Sequence, residues 1–251
     1  MVPVYWLLLM SLKSNAEILR GITFFPHSPT LANFKMIITT PSWYNGYLNA
    51  VIYVLLNVAI SLAVAVPAAF AFARYRFLGD RSLFFGLLLF RMLAPAILFI
   101  PFVEIFSRLG LIDTHIAVAL AHCFFNIPLA IWILEGFISA VPREMDDIAK
   151  VDGHSFASYF MKILLPQIAP GIAVAAFFCF MFSWIEFLLA NALTVVKAKP
   201  IASIMTRAGG VLTGDYALLA AASVLGLIPG LVLIIMMKKH LARGFSMGRV
   251  I

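Results

Sequence analysis

From Tyr47 to Ala73 the chain carries no charged side chain. A helix over that stretch is about 40 Å long at 1.5 Å per residue, longer than the roughly 30 Å hydrocarbon core of a bilayer. Four more apolar runs follow, at 83–106, 116–141, 168–193 and 216–237. A soluble domain could bury such segments only beneath a polar coat. This chain lacks one: 63% of its 251 residues are hydrophobic and 12% are charged. Soluble domains run at about 45–50% and about 25%. A soluble enzyme, a nucleic-acid-binding domain and a disordered chain are therefore excluded. The expectation is an all-α integral membrane protein, one multi-pass domain over 1–251.

Met1 to Leu12 forms a further apolar run that is too short to span, and Lys13 ends it. Counting it as a partial first span, about six transmembrane helices are expected. A half-span would leave backbone groups without partners in lipid. Met1 is therefore expected to be internal to a longer natural product, with about 15–25 further residues, basic and then apolar, before it. The start of the chain has neither the basic segment nor the cleavage site of a secretory signal.

The net charge of +7 is read as Lys and Arg gathered on cytoplasmic loops. Arg74, Arg76, Arg81, Arg143, Lys150, Lys162, Lys238, Lys239, Arg243 and Arg249 fall on one side of the predicted spans. Lys13, Arg20, Lys35, Arg108, Lys197, Lys199 and Arg207 fall on the other, with Arg91 inside a span. The denser set places both termini in the cytoplasm. Cys123 and Cys179 lie in apolar runs and read as small core residues.

The segment from Pro142 to Pro166, on the predicted cytoplasmic side, has its own pattern. Pro142 suits a first helical position. Glu144, Asp146 and Asp147 then fall where the helix dipole favours negative charge. Asp152 and Gly153 end this short helix, glycine because it tolerates the left-handed conformation. Phe156, Phe160 and Ile163 follow at an amphipathic helical spacing. Pro166 and Pro170 lead into the fifth span. Ile148, Ala149 and Val151 beside the acids give a helix–glycine–helix protrusion with an acidic, partly apolar face. A docking surface and an ordinary solvated loop both fit that pattern.

The stretch resembles the EAA loop of ABC-importer membrane subunits. Asp147-Ile148-Ala149, three residues, Gly153, nine residues, Ile163, one residue and Leu165-Pro166 reproduce that family's spacing. Asp147 stands for its Glu, Ile148 for its first Ala, and His154 for a common Ala after the glycine. The resemblance continues in Pro3-Val4-Tyr5-Trp6, Leu31 to Phe34, Leu48-Asn49, Ala71 to Phe77 and Arg91-Met92 with Pro95. Trp132 to Phe137, Trp184 with Glu186-Phe187, and Arg243-Gly244 also fit, while Ile185 stands where Asn is frequent. Together they resemble the carbohydrate-type (MalG-like) permeases of binding-protein-dependent importers.

That resemblance implies a type I ABC importer permease fold with a cytoplasmic coupling loop over 142–166. It also implies partners: a second homologous permease, two cytoplasmic ATPase subunits, an extracytoplasmic solute-binding protein and the bilayer of a bacterial inner membrane. Glu144, Asp146, Asp147, Ile148, Ala149, Asp152, Gly153, Ile163 and Pro166 would form the ATPase-docking loop. The chain has no Gly-x-x-x-x-Gly-Lys-Ser/Thr sequence, so it is not itself the ATPase; the resemblance implies a transport subunit and not an enzyme, with ATP hydrolysis in the partner. It is expected to need no cofactor, ATP and magnesium being bound by the partner ATPase. The implied solute is a sugar, polyol, glycerol or glycerol phosphate.

Ionisable groups within spans usually face the protein interior. Arg91 and Glu135 lie at similar depths, so an ion pair between them is expected, with solute contact as the alternative. Glu104 and Glu186 lie toward the outer face, within reach of headgroup water. His122 and Asn126 share a face at i, i+4, which suits interhelical packing or lining of a solute path. No His, Cys or carboxylate set has metal-ligand spacing. An ion-coupled carrier using Arg91 with Glu135 or Glu186 is a rival reading, but such a carrier has no need of the acidic loop. A membrane-embedded enzyme built on His122 would need a clustered catalytic set.

Overall fold

The computed structural model describes residues 2–209 and 214–247; for 238–247 it describes the backbone only. Among the described residues all regular structure is helical. Three short helices come first: α1 (Val2–Ser11), α2 (Asn15–Arg20) and α3 (Ala32–Thr39). Then follow α4 (Pro41–Arg74), α5 (Asp80–Met92), α6 (Pro95–Arg108) and α7 (His115–Ser139). α8 (Glu144–Val151) and α9 (Phe156–Gln167) form the predicted protrusion. The remainder is α10 (Ala169–Ile185), α11 (Leu188–Leu193), α12 (Ile201–Ala208) and α13 (Tyr216–Met247).

α4, α7 and the Tyr216–Met237 part of α13 are each long and apolar enough to cross a membrane. They are the runs without an internal break signal strong enough to stop a helix. Pro67, Pro128 and Pro229 lie inside them, a placement tolerated where neighbouring protein satisfies the freed carbonyl. The other two runs are not single helices. The run predicted at 83–106 divides into α5 and α6, bent by 93°. The break falls at Leu93 and Ala94, and the residue before a proline, here Pro95, is disfavoured in the α conformation. The fifth run, predicted at 168–193, bends at its start and breaks once inside. α9 and α10 are bent by 73° just ahead of Pro170, and α10 stops at Ile185 before α11 begins at Leu188. Counting each bent pair as one span gives up to five, where about six were expected. The difference is the N-terminal run, which forms only the ten-residue α1.

The chain divides into two compact units. The first comprises Met1–Tyr53, Pro101–Val118 and Glu186–Leu233. Its core includes Trp43, Tyr53, Leu189 and Leu193, and Tyr47 Oη donates to Ala222 O at 2.6 Å. Lys13, expected in a polar loop, is buried here; its ammonium donates to Thr23 O and Oγ1 at 2.6 and 2.7 Å and lies over Trp6.

The second comprises Val54–Ile100, Ala119–Ile185 and Ile234–Ile251. Its core joins Ala65, Ala69 and Phe70 of α4 to Ile131, Leu134 and Ile138 of α7 and to Ala175 and Cys179 of α10. Small residues let these helices approach closely. A Cβ on Gly171 would come within 2.4 Å of the Phe137 ring, so α10 packs against α7 only because that position is glycine. The side chains of Lys238, Lys239, Arg243 and Arg249, used above for orientation and family likeness, lie outside the described residues.

Candidate functional site

α8 and α9 are held against the ends of α4 and α7 by two crossed arginines. Arg74, the last residue of α4, donates through Nη2 to Val141 O at 3.0 Å and to Asp146 Oδ1 at 3.2 Å. Its Nε lies 2.8 Å from Asp146 Oδ2. In return Arg143, just before α8, donates to Ala73 O at 3.0 Å. The Arg74 and Asp146 side chains are 5% and 18% exposed, and Tyr159 Oη donates to the same Asp146 carboxylate. Burial first, and then this hydrogen bond, raises the Tyr159 phenol to about 12, so it is a protonated donor at neutral pH. Beneath the polar clasp, Phe70 packs on Phe156 and Phe160 at 5.6 and 5.5 Å between ring centroids.

The clasp divides the nine predicted docking residues. Ala149 is buried in the core of this unit, and Ile163 is half-buried against it. Asp146 is an internal anchor. Glu144, Asp147, Ile148, Asp152 and Pro166 are exposed, as is Val151, and form the outward face. Asp147 meets only Lys150, at 3.1 Å, a surface pair worth little. The turn between the helices follows from Gly153, whose φ is +79°. His154 N–H reaches Ala149 O and Gly153 N–H reaches Lys150 O, the paired bonds that close a helix on a left-handed glycine. α9 departs from the simple amphipathic helix of the sequence. Over Phe160–Leu164 it widens into a π-helical turn, Leu165 N–H bonding to Phe160 O. The widening immediately precedes Pro166, which has no N–H to continue the ordinary ladder.

The intramembrane residues are placed differently from one another. Arg91 and Glu135 do not pair. Arg91 lies 4.0 Å from the Phe182 ring centroid, and Glu135 accepts from Ser139 at 2.8 Å and lines a cleft with Asp80 and Arg81. The aromatic face of Phe182 offers the cation a nearby partner within its own unit. His122 and Asn126 hydrogen-bond between helices. His122 Nδ1 and Ser183 Oγ share a 2.6 Å hydrogen bond. Asn126 Nδ2 donates to Asn57 Oδ1 at 2.7 Å and Cys179 O at 3.2 Å. Asn57 Nδ2 in turn donates to Ala119 O at 3.1 Å. Glu104 pairs with Arg108 on the surface. Glu186 sits in the break between α10 and α11, and its carboxylate accepts from Leu189 and Ala190 N–H at 3.0–3.2 Å, capping α11.

Sequence reading missed Arg74, Arg143 and Tyr159 as site residues. Arg74 was read as a loop charge and as part of the resemblance over Ala71 to Phe77, not as an anchor of the protrusion. Tyr159 lies three positions after Phe156 and so on the same helical face, a signal that was available. Asp113 was also missed. Its φ is +63°, and its carboxylate accepts from the amides of Val195, Val196, Lys197 and Ala198 at 2.9–3.1 Å. Burial alone would raise its pKa, but the four donors outweigh it and hold the group at about 2. A depressed carboxylate stabilises the fold above its ordinary pKa, and that contribution is lost as pH falls toward 2. Asp113→Asn is therefore expected to lose about 1 kcal/mol at neutral pH, allowing for solvent screening. Thermal unfolding of both proteins should show the gap closing between about pH 4 and pH 2; a gap unchanged across that range would refute the assignment.

Continuous and broken apolar helices with a clasped polar protrusion are the features of a multi-pass membrane protein. The chain belongs to the family of binding-protein-dependent transport system inner membrane components, whose pattern matches residues 61–246. It is 30% identical to the sulfoquinovosyl glycerol transport system permease protein of Agrobacterium fabrum, over 98% of this chain and 87% of that one. It is 29% identical to the trehalose transport system permease protein of Mycobacterium tuberculosis, over 100% and 92%. A crystal structure of a bacterial ABC transporter that imports the acidic polysaccharide alginate shares the fold. Its TM-score is 0.78 at 21% identity, covering 94% of this chain and 89% of that one. The chain thus has the type I ABC importer permease fold. It is a permease component of an ABC importer, not an enzyme, and the reading as an ion-coupled carrier has no support among these relatives.

Proposed function

We propose that the chain carries a sugar or sugar-like solute inward across the bacterial inner membrane, with both termini in the cytoplasm. The solute class, which takes in polyols, glycerol and glycerol phosphate, is supported by the names of the relatives, several of which transport glycosides or oligosaccharides. The single observation that carries the mechanism is the clasped protrusion. Its outward face offers Ile148 and Val151, 56% and 88% exposed, ringed by Glu144, Asp147 and Asp152. An apolar patch with an acidic rim is a docking surface. Two cytoplasmic ATPase subunits dock there, one on this chain and one on a homologous second permease. ATP and magnesium bind in those subunits, and this chain needs no cofactor of its own. Closure of the ATPases moves α8, and Arg74 and Arg143 pass the movement to the ends of α4 and α7. A solute-binding protein supplies the solute from the other side.

Reconstitution into liposomes with the second permease, the ATPase and the binding protein tests this reading. Uptake of labelled sugar should require ATP and the binding protein, and should survive a proton ionophore. ATP-independent uptake that collapses with the ionophore would establish the ion-coupled alternative instead.

A further inference from the structure

Three cations outside the docking loop share one cleft. Lys197, Lys199 and Arg207 line a space of about 620 Å³ together with Ser42, Asn45 and Asn49 from the first turns of α4. That volume lies in the range of small-molecule sites. Among the described residues no carboxylate lines it. Lys199 is only 9% exposed, and its ammonium makes no hydrogen bond or ion pair with any described residue. The acid that does act on it, Asp113, is already committed to four backbone amides. Burial first, and Arg207 next, lower the Lys199 pKa, with Asp113 opposing them. Like charges brought together around an ammonium with no partner among the described residues are unfavourable until an anion joins them.

The backbone that carries these cations is fixed beforehand. Asn49 Nδ2 donates to Lys197 O and to Lys199 O, both at 3.0 Å, and Asn49 Oδ1 bonds His115 Nε2 at 2.8 Å. Asp113 holds the amides of 195–198. The N-terminal turns of α4 add the positive end of a long helix dipole. A neutral sugar could accept hydrogen bonds from these groups but would leave their charge uncompensated, whereas an oxyanion both accepts and neutralises.

We propose that this cleft binds the oxyanion of an acidic solute, a carboxylate, sulfonate or phosphate, with Lys199 as its main partner and Lys197 and Arg207 beside it. The source of that oxyanion, a solute entering the permease, rests on the function proposed above; the binding itself needs no other subunit.

The test uses the full chain, purified in a lipid-free maltoside detergent. Potassium glucuronate at ten times its Kd should raise Tm by about 3 °C, while glucose, and potassium chloride at equal ionic strength, should not. Lys199→Gln should abolish the shift, Arg207→Gln should reduce it, and Lys199→Arg should retain it. Lys199 loses no partner in these changes, so the unliganded Tm should stay near that of the wild type. If a variant fails to fold, equilibrium dialysis of labelled glucuronate against labelled glucose on the wild-type chain decides the matter. Glucuronate acting no better than glucose, or an undiminished shift in Lys199→Gln, overturns the proposal. A shift produced by phosphatidylglycerol and not by glucuronate makes the occupant a lipid phosphate and overturns the assignment to a solute. A failure of ATP-driven uptake would sink the proposed transport function and leave this binding result untouched.

Discussion

Arg74→Ala is expected to destabilise the protein by about 3–5 kcal/mol, the usual cost of stranding one member of a buried ion pair. In a chain of this length that is roughly 10 °C or more in Tm. Asp146 would retain only the Tyr159 hydroxyl, and Val141 O would lose its donor. Asp146→Ala should cost a similar amount, because the guanidinium it leaves is 5% exposed. The double substitution should be milder than the sum of the two. A contrast sharpens the test. Glu144→Ala and Asp147→Ala remove exposed acids and should change stability by no more than about 0.5 kcal/mol, yet weaken co-purification of the ATPase. Thermal unfolding of the five variants beside the wild type checks the first part and affinity pull-down the second. Additive single losses, or a loss below about 1 kcal/mol in Arg74→Ala, would show that the clasp is not coupled as drawn.

Gly153→Val should abolish ATPase recruitment while leaving the spans inserted. The φ of +79° at this position costs a non-glycine residue about 1–2 kcal/mol, and a β-branched one more. No atom lies within 4 Å of a Cβ built there, so the penalty comes from the backbone alone. The chain can escape it only by redirecting α9 away from α8. Gly153→Asn is the informative control, since Asn visits the left-handed region readily; it should keep most of the recruitment. Pull-down of the ATPase by the three proteins gives the answer. Equal recovery with valine and with glycine would mean that the turn does not matter for docking.

The sequence made the continuous spans legible because a charge-free run has only one stable home. α7 therefore begins and ends close to the predicted limits of 116 and 141, and α4 ends beside the predicted 73, though it begins at Pro41 and not at Tyr47. The broken spans were harder. Pro95 and Pro170 stood in plain view, but a proline in a membrane helix can also be absorbed without a break, as Pro67 and Pro128 are here. Nothing local separates the two outcomes. The helix–glycine–helix protrusion was legible through the spacing from Asp147 to Gly153 and Leu165-Pro166. The role of Asp146 was not. Its anchor, Arg74, lies 72 positions upstream, and acids side by side on a short helix look alike until the opposite wall is known. Arg91 shows the same limit: depth in the membrane suggested Glu135, yet depth says nothing of the rotation of each helix, and an aromatic ring supplied the partner.

The 93° bend between α5 and α6 bears on how the chain is made. Each half is about 20 Å long at 1.5 Å per residue, so neither can hold a place across the bilayer by itself. A nascent chain that has emerged only as far as Arg108 therefore has two stubs and an open backbone joint at Leu93 and Ala94, which lipid cannot solvate. The joint gains support only when later helices arrive, Phe124 of α7 against Phe90 and Phe182 of α10 against Arg91, just ahead of it. Biosynthesis must accordingly hold this portion at the insertion machinery, or keep it straight, until α7 and α10 have been delivered. Order of assembly is thus written into the geometry of one bend.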